Sequence, residues 1–402
     1  MKRFLLALLA CLFLSLPVVA ANVALINTPV EPSQMQAVLN QTILSINSGI
    51  TPNSMAPYGN FRNFLDNGNF AVNQRGTTAT AGASTSAVTS ANYASDRWVV
   101  DTNVTSGAGY GAIVTTGPTP MPGSINSLNV YRNSGALTQP VCLHQIIPTN
   151  DVVQLQGQPV VLSAYMQALA GMTAASKTVT AYLITGTGTD EGFATWTAST
   201  AITPAFTGVA TVTLGTATLT GSWARSSWTT IMPATATEAD VAICFTPVGS
   251  GSGATDGFSI SQAQFEQGSV ASSFEFRPYQ VELAKAQRYY WQFLEAANSY
   301  AAVPGVCAAQ STTVAVCVIP LKVTMRAAPT VTCTYGTLKR QVAGTATATT
   351  ACAAAATTNT VSGPDSVAIT ATVGAGDTAG LSGVLGGGNS TGGGKITASA
   401  DF

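Results

Sequence analysis

From Phe64 to about Pro278 apolar and polar positions tend to alternate with a period of two. Thr178–Leu183 is the clearest case: Val179, Ala181 and Leu183 share one face, and Thr178, Thr180 and Tyr182 the other. Thr211–Leu214 repeats the pattern. Val160–Tyr165 and Val241–Phe245 are more continuously apolar, as expected of strands held between two layers. Thr185-Gly186-Thr187-Gly188, Gly249–Gly253 and Asp256-Gly257 supply turns between them. Many short strands with frequent turns predict a jelly-roll β-sandwich over residues 64–278. No repeat of fixed length recurs, which argues against a propeller or a solenoid.

Helical spacing occurs twice. Between Pro32 and Gly49, Met35, Leu39, Thr42 and Ile46 form a short stripe suited to a bundle or to packing on its own domain. A second helix is predicted from Tyr279 to Ala297, with Pro278 at its start. On it Val281, Ala284, Tyr289, Phe293 and Leu294 share a broad face, away from Lys285, Arg288 and Glu295. Residues 303–374 return to strand patterns, the glycine-rich stretch 374–394 reads as a loop, and 395–402 as a closing edge strand. The fold class is therefore mainly β: a jelly-roll β-sandwich, a short helix and a smaller C-terminal β-sandwich domain. The segments are 1–21, 22–63, 64–278, 279–298 and 299–402.

The first of these has the layout of a Sec signal peptide: Lys2 and Arg3, an apolar run from Phe4 to Leu16, Pro17, and small residues at Ala20 and Ala21. An uncleaved anchor is the alternative. Leu8–Cys11 resembles a lipobox, but the apolar run continues past Cys11.

Charged residues are 8% of the 402, against a usual share of about 25%, and the net charge is −1. With no surplus of Lys and Arg, binding to a nucleic-acid backbone is not expected. Past the leader stand Cys142, Cys244, Cys307, Cys317, Cys333 and Cys352. An even number behind a signal peptide fits disulfides formed in an oxidising compartment. Cys307–Cys317 and Cys333–Cys352 are the favoured pairs because each closes a short loop; free buried thiols are the alternative.

No residue set predicts catalysis, a cofactor or a metal. His144 is the one histidine and shares a strand face with Cys142, a Cys–His couple more readily explained as structural. Gly186–Gly192 has the glycines of a dinucleotide loop without the strand–turn–helix setting. Asp190, Glu191 and Asp256 offer oxygen ligands for Ca²⁺, or simply solvated acidic turns. Trp196, Trp223 and Trp228, in Thr/Ser-rich surroundings, are the glycan-binding candidates, because flat aromatic faces stack on sugar rings. The alternative for each is a core tryptophan.

Several segments resemble a known family. Leu65–Gly76 (LDNGNFAVNQRG), Tyr93–Trp98 (YASDRW), Ala263–Trp291 (AQFEQGSVASSFEFRPYQVELAKAQRYYW), Met325–Gly336 (MRAAPTVTCTYG) and Gly394–Phe402 (GKITASADF) occur in the order seen in bacteriophage tail-fibre or head-fibre virion proteins. Those proteins carry a carbohydrate-binding-module-like jelly roll. Ala286 stands where the family usually has a cysteine. The resemblance implies a homotrimer assembled with other tail or capsid proteins, host-surface polysaccharide as a ligand, and a virion location.

Read as residues, the third segment is a structural joint. Phe274 and Phe276 alternate with Glu275 on a last sandwich strand, Arg277 pairs with Glu282 or another acid, and Pro278 starts the helix. Gln287 and Arg288 follow along it, while Tyr289, Tyr290 and Trp291 pack between the domains. Asp96 and Arg97 are expected to pair beside Trp98. The leader and cysteines favour an alternative, a secreted bacterial carbohydrate-binding or adhesive protein of prophage origin. A tailspike-like glycan hydrolase is a third, although nothing singles out a carboxylate pair.

Overall fold

Period-two alternation becomes two stacked antiparallel sheets. Among the described residues they contain β1 (Thr78–Ala81), β2 (Asn92–Ser95), β3 (Trp98–Thr102), β4 (Tyr110–Thr116), β5 (Asn126–Arg132) and β6 (Val141–Ile147). The series continues with β7 (Pro159–Ala168), β8 (Thr178–Gly186), β9 (Ala210–Thr218), β10 (Ala224–Ile231), β11 (Glu238–Phe245) and β12 (Gly257–Gln267). One sheet has the order β1-β4-β5-β12-β7-β10, the other β2-β3-β6-β11-β8-β9. The chain crosses repeatedly between the sheets, and the result is a jelly-roll β-sandwich. The computed structural model describes residues 61–75, 78–81, 92–102, 110–116, 121, 123–132, 139–193, 204–248, 256–294, 302–334, 339–342, 345–354, 362–373, 378–386 and 394–402. The leader, the Met35–Ile46 stripe, Trp196 and the Gly249–Gly253 turn lie outside them.

The inner faces interlock as alternation requires. Leu128, Leu162, Met166, Phe258, Ile260 and Phe265 from one sheet meet Trp98, Leu143, Leu183, Val241, Ile243 and Phe245 from the other. Ile260 and Phe265 are an odd number apart, so a regular strand would send one of them outward. A bulge between Ser261 and Gln264, with Gln262 at φ 51°, resets the phase. At that bulge Ala263 donates its N–H to the Gly68 carbonyl at 2.9 Å. A Cβ on Gly68 would lie 2.1 Å from the Ala263 oxygen, so only glycine fits.

The opening segment 61–75 is built around Asn67. Its side chain donates to the carbonyls of Val72 (2.8 Å) and Asp96 (3.0 Å) and accepts from the Val72 N–H (2.9 Å). Trp98 donates from its indole to the carbonyls of Asp66 (3.1 Å) and Asn67 (3.0 Å). A fully buried indole thus satisfies its N–H while filling the core.

After β6 comes a single helical turn, α1 (Thr149–Val152). The second helix, α2 (Tyr279–Gln287), ends ten residues short of the predicted Ala297. Its buried positions are Glu282 and Ala286 rather than the expected apolar face. Tyr290–Leu294 forms strand β13 instead, since Tyr, Trp and Phe favour strands where a partner is available.

The C-terminal β-domain contains β14 (Ala302–Ala309), β15 (Val314–Pro320), β16 (Thr330–Thr334), β17 (Lys339–Val342), β18 (Thr345–Ala354), β19 (Ser366–Val373), β20 (Ser382–Gly386) and β21 (Lys395–Ser399). Strands β14-β15-β19-β18-β17-β20 close into a barrel, and β13-β21-β16 form a sheet against it. Two expectations need correcting. The stretch 374–394 is not all loop, because Ser382–Gly386 completes the barrel. Lys395–Ser399 is no edge strand, because it pairs with β13 on one side and β16 on the other. Its buried Ile396 and Ala398 join a second core with Cys307, Cys317, Ile319 and Ile369.

Candidate functional site

The joint between the two cores is assembled from buried charge. Asp96 and Arg97 do not pair with each other. Arg97 sits at φ 73°, which turns its side chain toward the opening segment. Its Nε donates to Asp66 Oδ2 at 3.1 Å, its Nη2 donates to the Ile146 carbonyl at 2.6 Å, and its guanidinium lies 3.5 Å from the Tyr289 ring centroid. Asp96 instead accepts from the Gln74 side chain at 2.9 Å. Lys285 takes the other Asp66 oxygen at 2.9 Å. Burial pushes the Asp66 carboxyl up, but Lys285, Arg97 and Arg277 together outweigh that and hold it at about 2.

Arg277 pairs with Glu282 (3.4 Å) and Glu275 (3.1 Å), and Glu282 accepts the Asn67 N–H at 2.8 Å. Phe274 and Phe276 do not alternate across a strand. The sandwich ends at Gln267, the following segment is irregular, and the two rings meet edge-on at 4.9 Å. Pro278 holds the N-cap position of α2, Gln287 closes the helix and Arg288 is exposed. Tyr289 and Tyr290 are buried, with Phe402 at 5.6 Å from Tyr289 and beneath the Arg326 guanidinium at 4.2 Å. Most of these groups are engaged with one another through ion pairs and hydrogen bonds, while Arg277 Nε has no acceptor among the described residues.

The cysteines pair as Cys142–Cys244, Cys307–Cys317 and Cys333–Cys352. The first two join residues directly opposite on paired strands. The third ties β16 to the barrel strand β18. His144 Nδ1 lies 2.7 Å from Asp240 Oδ2, both fully buried, so Cys142 and His144 are each held in structural pairings. Asp256 pairs with Arg132 and accepts the Thr173 N–H at 2.8 Å. Asp190 accepts from the Thr149 N–H at 2.9 Å. Among the described residues no group of three His, Cys, Asp or Glu is placed to hold a metal ion.

Glu191 has a different partner. Its N–H donates to Glu238 Oε2 at 2.9 Å, and its carboxylate accepts from the Thr207 N–H and hydroxyl. Those bonds hold Glu191 below its usual value, while burial, helped by the Glu191 charge, pushes Glu238 up to about 7. Glu238 is therefore protonated in the fold at pH values where an unfolded glutamate is ionised. Its contribution to stability is complete below about pH 4.5 and is lost as the pH rises through about 7. The urea midpoint is expected to fall between pH 5 and pH 8, and Glu238→Gln to flatten that fall. An unchanged pH profile in the variant would refute the assignment.

An aromatic and polar surface lies on the outer face of the β12–β7–β10 sheet. Register pairs Arg225 with Tyr165 and Tyr165 with Ser261; the next outward row is Gln167, Ser259 and Asn129. Continuing the β10 register one residue back places Trp223 opposite Gln167. Trp223, Tyr165, Gln167 and Arg225 are half-buried and so share an open face. The segment after β12 borders it: Glu266 accepts from the Ser272 N–H (2.7 Å) and hydroxyl (2.6 Å), and Arg225 donates to the Ser272 carbonyl.

Of the predicted tryptophans, Trp223 lies on this face. Trp228 does not: it has the opposite parity, is 8% exposed and packs in the sandwich core. Gly215 leaves it room, because a Cβ there would come within 2.8 Å of the indole. Tyr165, Gln167 and Arg225 were missing from the sequence candidates. Polar Ser163, Tyr165 and Gln167 at every second position of β7 were the available signal, and reading Val160–Tyr165 as continuously apolar hid it.

No family model and no curated protein matches the sequence. Solved structures with a similar fold include the enzymatically active domain of Bacteriophage CBA120 tailspike protein 4, at 9% identity and TM-score 0.29, covering 52% of this chain and 22% of that one. The C-terminal family 22 carbohydrate-binding module of Clostridium thermocellum Xyn10B is similar at 15% identity and TM-score 0.31, covering 54% and 100%. The tandem CBM22 domains of Paenibacillus barcinonensis Xyn10C are similar at 10% identity and TM-score 0.28, covering 86% and 92%.

Proposed function

We propose that this protein is a non-catalytic, glycan-binding structural component of a phage particle, a homotrimer that contacts host-surface polysaccharide through its sandwich. The observation that carries the binding reading is the outer face of β7 and β10. Trp223 and Tyr165 offer ring faces for sugar stacking, and Gln167 and Arg225 offer hydrogen bonds at their edges. The particle reading rests on the resemblance of the segments between Leu65 and Phe402 to fibre proteins.

Trp223→Ala and Tyr165→Ala are each expected to weaken glycan binding about tenfold, the effect of roughly 1.4 kcal/mol, with the melting temperature unchanged. Glycan arrays and calorimetry check this, and a wild type that binds no glycan removes the reading. Bound polysaccharide is expected to keep its length, without new reducing ends. Mass analysis of purified virions, with light scattering of the free protein, tests particle membership and the trimer.

Three disulfides favour a second reading, a secreted carbohydrate-binding or adhesive protein of prophage origin. Absence from particles, with a mature form in the medium, would select it.

A further inference from the structure

Arg225 is held differently from the other withdrawn arginines. Among the described residues Arg62, Arg75, Arg97, Arg132, Arg277 and Arg326 each face a carboxylate. Arg225, half-buried, faces none. Its Nη2 donates to the Ser163 hydroxyl at 2.9 Å and to the Ser272 carbonyl. Its Nε is buried with no acceptor, and Nη1 has no partner among the described residues.

Glu266, the acid on the segment that borders that face, is already engaged. Its oxygens accept from Ser272 and from the Gln264 amide at 2.8 Å, and Arg62 lies 3.8 Å away. A guanidinium has five N–H donors; here the two of Nη2 and the one of Nε point into the protein, which leaves the two of Nη1. A withdrawn cation with spare donors, fixed by neutral groups, has the properties of an anion receptor. The Tyr165 ring, 6.0 Å from Cζ, and Trp223 in the adjoining row place it at the edge of an aromatic platform.

We infer that the glycan bound at this face is acidic, and that Arg225 takes its carboxylate or sulfate group through Nη1 while Trp223 and Tyr165 stack on the sugar rings. This rests on the reading of the face as a glycan platform. It adds the ligand class, which the aromatic groups alone do not determine. Carboxylate and sulfate present the same paired oxygens to a guanidinium, and separate probes distinguish them.

Binding of the full chain is measured to polygalacturonate and its fully methyl-esterified form, and to dextran sulfate and dextran. At least one acidic polymer is expected to bind ten times more tightly than its neutral counterpart, with the difference shrinking as salt rises. Arg225→Gln is expected to abolish the preference for the acidic polymer over its neutral counterpart, and Arg225→Lys to keep most of it. Because Arg225 also braces the Ser272 segment, exposed Ser227 provides a variant with that contact intact: Ser227→Asp is expected to weaken acidic binding at least threefold. Neutral polymers binding as well as acidic ones, or a preference that survives Arg225→Gln, overturns the inference and leaves the glycan reading standing. Binding to none of the four overturns both.

Discussion

Arg97→Ala is expected to destabilise the fold by about 3–5 kcal/mol, a typical cost of removing one partner from a buried ion pair. Arg97 is 3% exposed, and its loss leaves Asp66 Oδ2 and the Ile146 carbonyl without their donors. Lys285 remains on the other Asp66 oxygen, which places the expected cost toward the lower end of that range. Tyr289 loses the cation above its ring, so the damage reaches the C-terminal side of the joint. Asp66, now held at about 2, is expected to titrate higher. The stability it contributes is lost as the pH falls through its folded-state value, so acid unfolding moves to higher pH. Urea unfolding followed by tryptophan fluorescence reads the change, since Trp98 hydrogen-bonds to the same segment. Combining Arg97→Ala with Asp66→Asn is expected to cost less than the sum, because the orphaned charge goes with its partner. A loss below about 1 kcal/mol for Arg97→Ala would show that Lys285 alone sustains Asp66.

Removing the Cys142–Cys244 bond is expected to cost about 4–5 kcal/mol, more than removing either of the others. It joins residues 102 apart, whereas Cys307–Cys317 and Cys333–Cys352 span 10 and 19. In the chain-entropy account the gain grows with the logarithm of the loop, so the shorter bridges contribute roughly 3 kcal/mol each. Cys142→Ala with Cys244→Ala leaves only small voids on the buried outer side of the sheet, where Ile146, Ile184 and Phe206 close around the pair. The bridge therefore acts mainly on the unfolded chain, and the urea midpoint of the double variant is the measurement. A smaller cost than that of Cys307→Ala with Cys317→Ala would contradict the loop-length account.

The sandwich was legible wherever alternation was local. Val179, Ala181 and Leu183 point inward as their spacing requires. The misreadings arose where a distant partner decided the conformation. Tyr290–Leu294 follows a helix, and its aromatic pattern fits either state; pairing with Lys395–Ser399 makes it a strand. Asp96 and Arg97 are adjacent in sequence, but a residue at φ 73° sends the arginine to Asp66 instead. Trp223 and Trp228 sit in similar polar surroundings, and only the β10 register separates the outward residue from the buried one. Arg225 was invisible as a receptor because its distinction lies in lacking a carboxylate nearby, which sequence proximity does not report.

The position of β21 between β13 and β16 has a consequence for the order of events during synthesis. From Leu294 to Lys395, roughly 100 residues, including every barrel strand, must emerge before the central strand arrives, a separation whose closure is entropically costly. Barrel strands such as β14 and β15 are joined by short hairpins and can pair first. Tyr290–Leu294 meanwhile waits without its strand partner, next to a folded sandwich. During that interval the nascent chain presents an aromatic strand edge, which makes this the step at which a chaperone would be needed or neighbouring chains would entangle.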